Sequence, residues 1–315
     1  MTSTPLNLGS EFADQVSFPW NPICSREPIQ WPKQARVAVA IVVLMEASSV
    51  EGLSGPFSGL LPGGGGGNKP YPDAQRFTHR EYGHRVGIFR LLDLFKSRAL
   101  PCALAVDART TTHYPRVIQA ALSIGAEFIA HGDSAAEIIT SQMTEEREHS
   151  VVEGATRTIA KAIGKVPVGW LGPAYSESVR TVGLLAAQGY DYVCDWCNDD
   201  QPYEMRQIGW QSTLISLPTL FELDDAKVLL SRGLSEDAYG RMLSDAFDQL
   251  WRDAEQFPRI MVVCVRPWIM GQAFRLQILE AFLDEVLARN AWVTTPGAIA
   301  TAYRMSRTDI REAQL

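Results

Sequence analysis

Eight apolar residues, Val37 to Leu44, follow Arg36 without a polar interruption. A run apolar at every position, rather than at every second one, predicts a strand buried on both faces, as in a parallel sheet. Shorter apolar runs at 102–106, 128–130, 166–170, 190–193, 213–217, 260–265 and 292–293 predict further strands. The segments between them carry helical spacing instead. In 81–98 the apolar residues Ile88, Leu91, Leu92 and Phe95 fall at i, i+3, i+4 and i+7. Further helices are predicted over 115–123, 145–163 (stopped by Gly164), 176–188, 235–251 and 272–289, and Thr295-Pro296 caps a closing one. Strand and helix alternate along the chain, so the expected fold class is α/β with a parallel sheet, and a (β/α) barrel fits a chain of 315 residues. The expected organisation is a Pro-rich arm over 1–34 packing on a single barrel domain over 35–315.

One stretch breaks the alternation. Residues 47–76 hold the glycine run Gly63 to Gly67 and four prolines, and a loop this long in a compact domain reads as a lid or a disordered segment. It is not a phosphate loop, since no Lys-Ser/Thr follows the glycines.

Composition narrows the function classes. Hydrophobic residues make up 46% and charged residues 21%, ordinary for a globular protein, and the net charge is −7. With no basic run interleaved with aromatics, nucleic acid is not an expected partner. No apolar stretch approaches the roughly 20 residues of a membrane span, and residues 1–20 lack the basic start and apolar core of a signal peptide, so the expectation is a cytoplasmic protein without a membrane partner. Five scattered cysteines argue against a disulfide framework. Cys194 and Cys197 form one C-x-x-C, without the second pair of a zinc knuckle, and are expected as buried strand-end cysteines.

The candidate chemistry lies where strands end. Residues just past the predicted strands share one face of such a fold: Glu46, Asp107, His131, Gly172, Asp195, Arg266 and Thr294. Glu46 and His131 could act there as general base and acid, and Arg266 could stabilise an oxyanion or anchor an anionic group. A metal-ligand pair on the turn after His131 would need histidine at 135, where Ala135 stands. His79 and His84 lie five apart, about 140° from each other around a helix, and make a poor ligand pair. Neither G-x-S-x-G nor H-E-x-x-H occurs.

Taken together, several segments resemble the polysaccharide deacetylase superfamily, particularly its allantoinase-like and cyclic-imidase-like branch. They are Trp31-Pro32, Glu81-Tyr82-Gly83-His84-Arg85-Val86-Gly87, Glu127-Phe128-Ile129-Ala130-His131-Gly132 and Pro167-Val168-Gly169-Trp170. Asn198-Asp199-Asp200-Gln201-Pro202-Tyr203, Arg266-Pro267-Trp268-Ile269-Met270-Gly271-Gln272 and Thr295-Pro296-Gly297 complete the set, in the same order. The resemblance implies a distorted (β/α) barrel that hydrolyses a C–N bond. Metal-dependent deacetylases of the superfamily carry an Asp pair after the first strand and H-x-x-x-H later, and here Glu46 and His131 alone remain of these. The allantoinase-like branch also lacks the second histidine and is thought to work without metal. The late His-Pro of the family aligns with Arg266-Pro267.

The expected function is therefore metal-independent hydrolysis of a small-molecule amide, open or cyclic, by a homo-oligomer. Glu46, His131 and Arg266 are the expected catalytic residues, with no metal ligands and no cofactor. Glu81, Trp170, Asp200 and Trp268 are expected to line the pocket. Two alternatives are a catalytically degenerate barrel that only binds a ligand, and a zinc-dependent sugar N-deacetylase.

Overall fold

The computed structural model describes residues 17–48, 74–205 and 213–313, with side chains to residue 307. Residues 1–16 of the expected arm and residues 49–73 of the candidate lid, with its glycine run, lie outside the described residues.

The run of eight apolar residues forms β1 (Val37–Met45), buried at every position. Among the described residues it is the next-to-last strand of a nine-stranded sheet. On one side it pairs in parallel with β2 (Ala103–Val106), which pairs with β3 (Glu127–Ala130). β4 (Gly169–Trp170), β5 (Tyr192–Val193), β6 (Tyr203–Met205) and β7 (Leu214–Ser216) extend it in the order β3-β4-β5-β7-β6. On the other side β1 pairs with β8 (Arg259–Val265), and its amino-terminal half also pairs with β9 (Trp292–Val293). Every pairing is parallel except β6 with β7.

Among the described residues the curled sheet does not close by a strand ladder. Its edges meet through backbone hydrogen bonds from Ile260 to the Asp200 carbonyl and from Leu220 to the Val262 carbonyl. This is the distorted (β/α) barrel the sequence implied.

Strand parity sorts the core into two layers. Ala38, Ala40, Val42 and Leu44 of β1 face inward with Ile129, Leu171, Tyr192, Ile215 and Val262. Val37, Val39, Ile41 and Val43 face outward against the helices. Trp31, Ile299 and Tyr303 fill the inner layer where the strands begin, and the Trp31 indole donates to the Arg259 carbonyl there. The plug leaves the carboxyl ends of the strands to build a site.

The helices are α1 (Ala74–Tyr82), α2 (Ile88–Ser97), α3 (Ala108–His113), α4 (Pro115–Ser123), α5 (Glu145–Ile163), α6 (Thr181–Ala187), α7 (Glu236–Asp253), α8 (Pro267–Met270), α9 (Leu276–Ala288) and α10 (Pro296–Ala313). The first differs from expectation. It starts at Ala74 rather than near 81 and is joined to α2 by a wide π-helical turn, Gly83–Gly87. The cause is close packing on α8: a Cβ at Gly83 would meet the Trp268 nitrogen at 2.8 Å, and one at Gly87 the Pro267 carbonyl at 2.1 Å. The short α3 and α8, and strand β6, were not visible as periodic segments. The C-x-x-C pair is divided, with Cys194 buried and Cys197 exposed, so the second is not the buried cysteine expected. No helix among the described residues is long and apolar enough to cross a membrane.

Candidate active site

Parity delivers the site. Glu46 stands two residues beyond the inward-facing Leu44, Asp107 two beyond Ala105, His131 two beyond Ile129 and Arg266 two beyond Cys264. All four therefore point into the mouth of the barrel.

Glu46 is the hub. Its Oε1 lies 3.5 Å from His131 Nε2, and its Oε2 lies 3.3 Å from Arg266 Nε. Burial would push the Glu46 carboxyl up, but the charges of Arg266, His131 and Arg80 outweigh it and hold it at about 2. The His131 Nδ1 lies 2.5 Å from the Leu171 carbonyl oxygen, which can only accept, so Nδ1 carries the hydrogen and Nε2 is the atom presented to the site. Burial opposes the charged imidazole, yet Glu46 and the Leu171 carbonyl raise its pKa above the ordinary value. At 3.5 Å the Glu46 contact is a charge contact rather than a hydrogen bond, and Nε2 has no partner at hydrogen-bonding distance.

Arg266 is placed at the site, but not as a free anion anchor. Its Nη1 lies 2.9 Å from both Asp224 oxygens and from Asp225 Oδ1, and its backbone N–H donates to Asp225 Oδ2 at 2.6 Å. With Glu46 on Nε, three carboxylates surround one guanidinium. Asp224 also accepts from the Tyr175 hydroxyl at 2.7 Å. The surroundings of Arg266 are anionic, which corrects the expectation that it holds a substrate anion. Asp224 and Asp225 carried no sequence signal.

Two further strand-end carboxyls complete this ring. Asp107 caps α3, accepting from Thr110 N at 2.6 Å and Ala47 N at 2.8 Å, and burial raises it to about 6. Asp195 accepts from Gly172 N at 2.7 Å and is likewise raised by burial to about 6. Burial and the charge of Asp195 raise Glu177 beside it further.

The helix α1 and the turn after it supply the opposite wall. The Arg80 guanidinium carbon lies 5.4 Å from the centre of the Trp268 ring, and His79 meets the same indole edge-on at 5.1 Å. His84 stacks on Tyr114 at 4.0 Å with its Nδ1 3.4 Å from Glu81, and the Tyr114 hydroxyl donates to Glu81 at 2.5 Å. Burial lowers the His84 pKa, against the charges of Glu81 and Glu46. His84 is thus a second buried imidazole at the site, although the sequence singled out only His131.

Of the expected pocket residues, Glu81 and Trp268 stand in this wall. Trp170 does not. It has the outward parity of β4 and packs edge-on against Tyr190 in the sheet–helix layer, fully buried. Asp200 lies at the wrong end of the barrel, because its carbonyl accepts from Ile260, which begins the strand that Arg266 follows. Six residues of strand separate the two, roughly 20 Å. Asp200 lines a separate groove with Phe18, Arg26 and Tyr203.

A divalent metal, which the wider superfamily implies, does not suit these donors. Among the described residues no group of three or more His, Cys, Asp or Glu side chains converges to hold one. Glu46 is turned to Arg266 and His131, the His131 Nδ1 to a carbonyl, and the position of a second histidine holds Ala135.

No family model matches the chain. It is 25% identical over 300 residues to a Schizosaccharomyces pombe protein provisionally named polysaccharide deacetylase, covering 87% of this chain and 92% of that one. It is 26% identical over 241 residues to the peptidoglycan deacetylase of Helicobacter pylori, covering 66% and 81%. Among solved structures, a probable polysaccharide deacetylase from Pseudomonas aeruginosa superposes with a TM-score of 0.80 at 24% identity, over 91% of this chain and 98% of that one. PuuE allantoinase superposes with a TM-score of 0.77 at 24% identity, over 92% and 99%. In its motifs and in its curled barrel, the chain is polysaccharide deacetylase-like, with an allantoinase among its structural neighbours.

Proposed function

We propose that the chain is a hydrolase of a non-peptide carbon–nitrogen bond in a small molecule, an open or cyclic amide, working without a metal. The carrying observation is the Glu46–His131 contact at the barrel mouth, with Nε2 of a buried, charge-favoured histidine left without a hydrogen-bond partner. Two sequence relatives are named as deacetylases and one structural neighbour as an allantoinase, and these names describe hydrolysis of such bonds.

The roles follow from the proton positions. Water adds to the amide carbonyl carbon, the C–N bond breaks, and the departing nitrogen needs a proton. His131, with Nδ1–H fixed on Leu171 and Nε2–H facing the site, supplies it, and the neutral Nε2 left behind takes up the proton that the added water sheds as the carboxylate product forms. Glu46 stabilises the imidazolium and orients the attacking water. A carboxylate held at about 2 has little proton affinity, so its contribution is positional and electrostatic more than basic. Arg266 acts through Glu46: clamped by Asp224 and Asp225, it fixes the carboxylate without touching substrate.

A screen of hydantoins, cyclic imides, lactams and N-acyl sugars tests the reading. Turnover by metal-stripped protein, lost in Glu46→Gln and His131→Ala variants that keep their fold, is the expected result. An activity that needs stoichiometric zinc, or wild-type rates in both variants, overturns it. Arg266 favours a second reading, a ligand-binding barrel without turnover, because an always-charged group stands where the superfamily places a proton-transferring histidine. Binding without product in the same screen would select it.

A further inference from the structure

Arg80 is a buried cationic side chain of this wall without an ion pair among the described residues. Its residue is only 5% exposed, and its Nε has no hydrogen-bond partner. Its guanidinium carbon lies over the Trp268 ring, 5.4 Å from the centre, a contact that leaves the Nε–H without an acceptor. Glu46 acts on it electrostatically, which places it at the same site, but Glu46 is already engaged by Arg266 and His131. Arg76 and Arg266 add like charge around it. A buried cation with an unused Nε–H donor, beside an indole face, is poorly accounted for by the folded chain alone. A planar, bidentate anion would complete it, since the guanidinium fork matches a carboxylate.

We infer that Arg80, stacked on Trp268, is the recognition site for a carboxylate on the substrate, so that the bond cleaved belongs to an anionic amide rather than to a neutral sugar. This rests on the hydrolase reading above and adds the substrate class to it. Arg266 cannot take this part, because Asp224, Asp225 and Glu46 already occupy it. Trp268 lies beside the guanidinium carbon at 5.4 Å, and His79 meets the same indole at 5.1 Å. The division of labour is then between Arg80, which binds the substrate's permanent charge, and the Glu46–His131 pair, which handles the reacting bond.

The test is equilibrium binding, so that it does not depend on turnover. Dicarboxylates of three to six carbons and the corresponding diamides are titrated by calorimetry against the wild-type chain and against Arg80→Gln and Arg80→Lys. The expected wild-type preference for the best-fitting dicarboxylate over its diamide is about ten-fold or more, abolished in Arg80→Gln and partly kept in Arg80→Lys. In the absence of ligand, Arg80→Met should melt at a higher temperature than wild type, because it removes a buried charge that has no partner. A merely structural arginine would give the opposite sign. Equal binding of dicarboxylates and diamides by the wild type, or a preference unchanged in Arg80→Gln, overturns the inference. If the carboxylate preference holds and depends on Arg80 while no amide is hydrolysed, the hydrolase reading fails and the anion site stands.

Discussion

The guanidinium Nη1 of Arg266 lies 2.9 Å from both carboxylate oxygens of Asp224. With Asp225 on the same nitrogen and Glu46 on Nε, the arginine is the countercharge for a buried acidic cluster. Truncating it leaves those acids facing each other in a site that excludes water. Arg266→Met should therefore lose about 3–5 kcal/mol of stability at neutral pH, measured by chemical denaturation. Acid should partly rescue the variant, since burial already raises Asp225 to about 7 and loss of the arginine makes protonation easier still. A variant as stable as wild type, or one equally destabilised at pH 5 and pH 7.5, would show that Arg266 does not hold this cluster together.

The Glu46–His131 pair sets a pH limit on activity. If protonated His131 delivers the proton, the rate should fall as pH rises through its raised pKa. Glu46→Gln removes the main group that raises it, so the alkaline limb should move to lower pH. His131→Gln should lower kcat by roughly 10²–10⁴, the usual worth of a general acid. The stability signs are opposite for the two partners. The contribution of His131 is present below its unfolded value near 6.5 and is lost as pH rises through the folded one. That of Glu46 is present above 4.5 and is lost as pH falls towards 2. A pH–rate profile whose alkaline limb is unmoved in Glu46→Gln would break the proposed coupling.

Asp107 gives a separate pH signature. Its carboxyl is fully buried and raised from 3.8 to about 6, so the folded chain binds the proton more tightly than the unfolded one. Stability is then highest below about pH 4 for this group and declines as pH rises through 6, by about 3 kcal/mol in all. Asp107→Asn should flatten that slope. It should also cost roughly 1–2 kcal/mol at low pH, since one of the two amide donors, Thr110 N or Ala47 N, loses its oxygen acceptor. Urea midpoints of both proteins from pH 4 to pH 8 give the comparison. Parallel curves would refute the assignment.

How far the site could be read from the sequence depended on parity and on periodicity. Glu46, Asp107, His131 and Arg266 each follow an apolar run, and their inward direction continues the alternation of the strand before them. The same rule excludes Trp170, which stands in a family-like motif but has the outward parity of its strand. Asp224 and Asp225 lie between a short 3₁₀ turn, Phe221–Leu223, and a π-helical one, Ala226–Ser231, neither long enough to show a period. Arg80 was obscured because α1 begins just after the long break, and helical spacing became clear only from Ile88. Asp200 was not placed by any strand pattern, because it belongs to an irregular segment before β6 whose carbonyl is met by Ile260 near the start of β8. Alternating patterns report direction within an element; these residues depended on how elements meet.

Such a meeting joins Gly87 to the Arg266–Pro267–Trp268 turn. A Cβ on Gly87 would sit 2.1 Å from the Pro267 carbonyl and 3.4 Å from Gly271 Cα, both backbone atoms that cannot swing aside. Gly271 in turn would bring its own Cβ to 2.4 Å of Gly87 Cα, so the approach is closed from both sides. Gly87→Ala must then push the helix bearing Arg80 and His84 away from the turn bearing Arg266 and Trp268. The cost should be roughly 3 kcal/mol, at the upper end for overpacking, because the clash is with main chain. Activity should suffer more than stability alone explains, since an ångström of misplacement between reacting groups can cost about 10²-fold. Gly154 serves as the control: it also lies within a helix, but a Cβ there meets nothing within 4 Å. Gly154→Ala should be neutral or slightly stabilising, as alanine has the higher helix propensity. Thermal melts and initial rates on the two variants decide the matter, and a Gly87→Ala protein that matches Gly154→Ala in both would mean that the contact does not hold the two walls of the site in register.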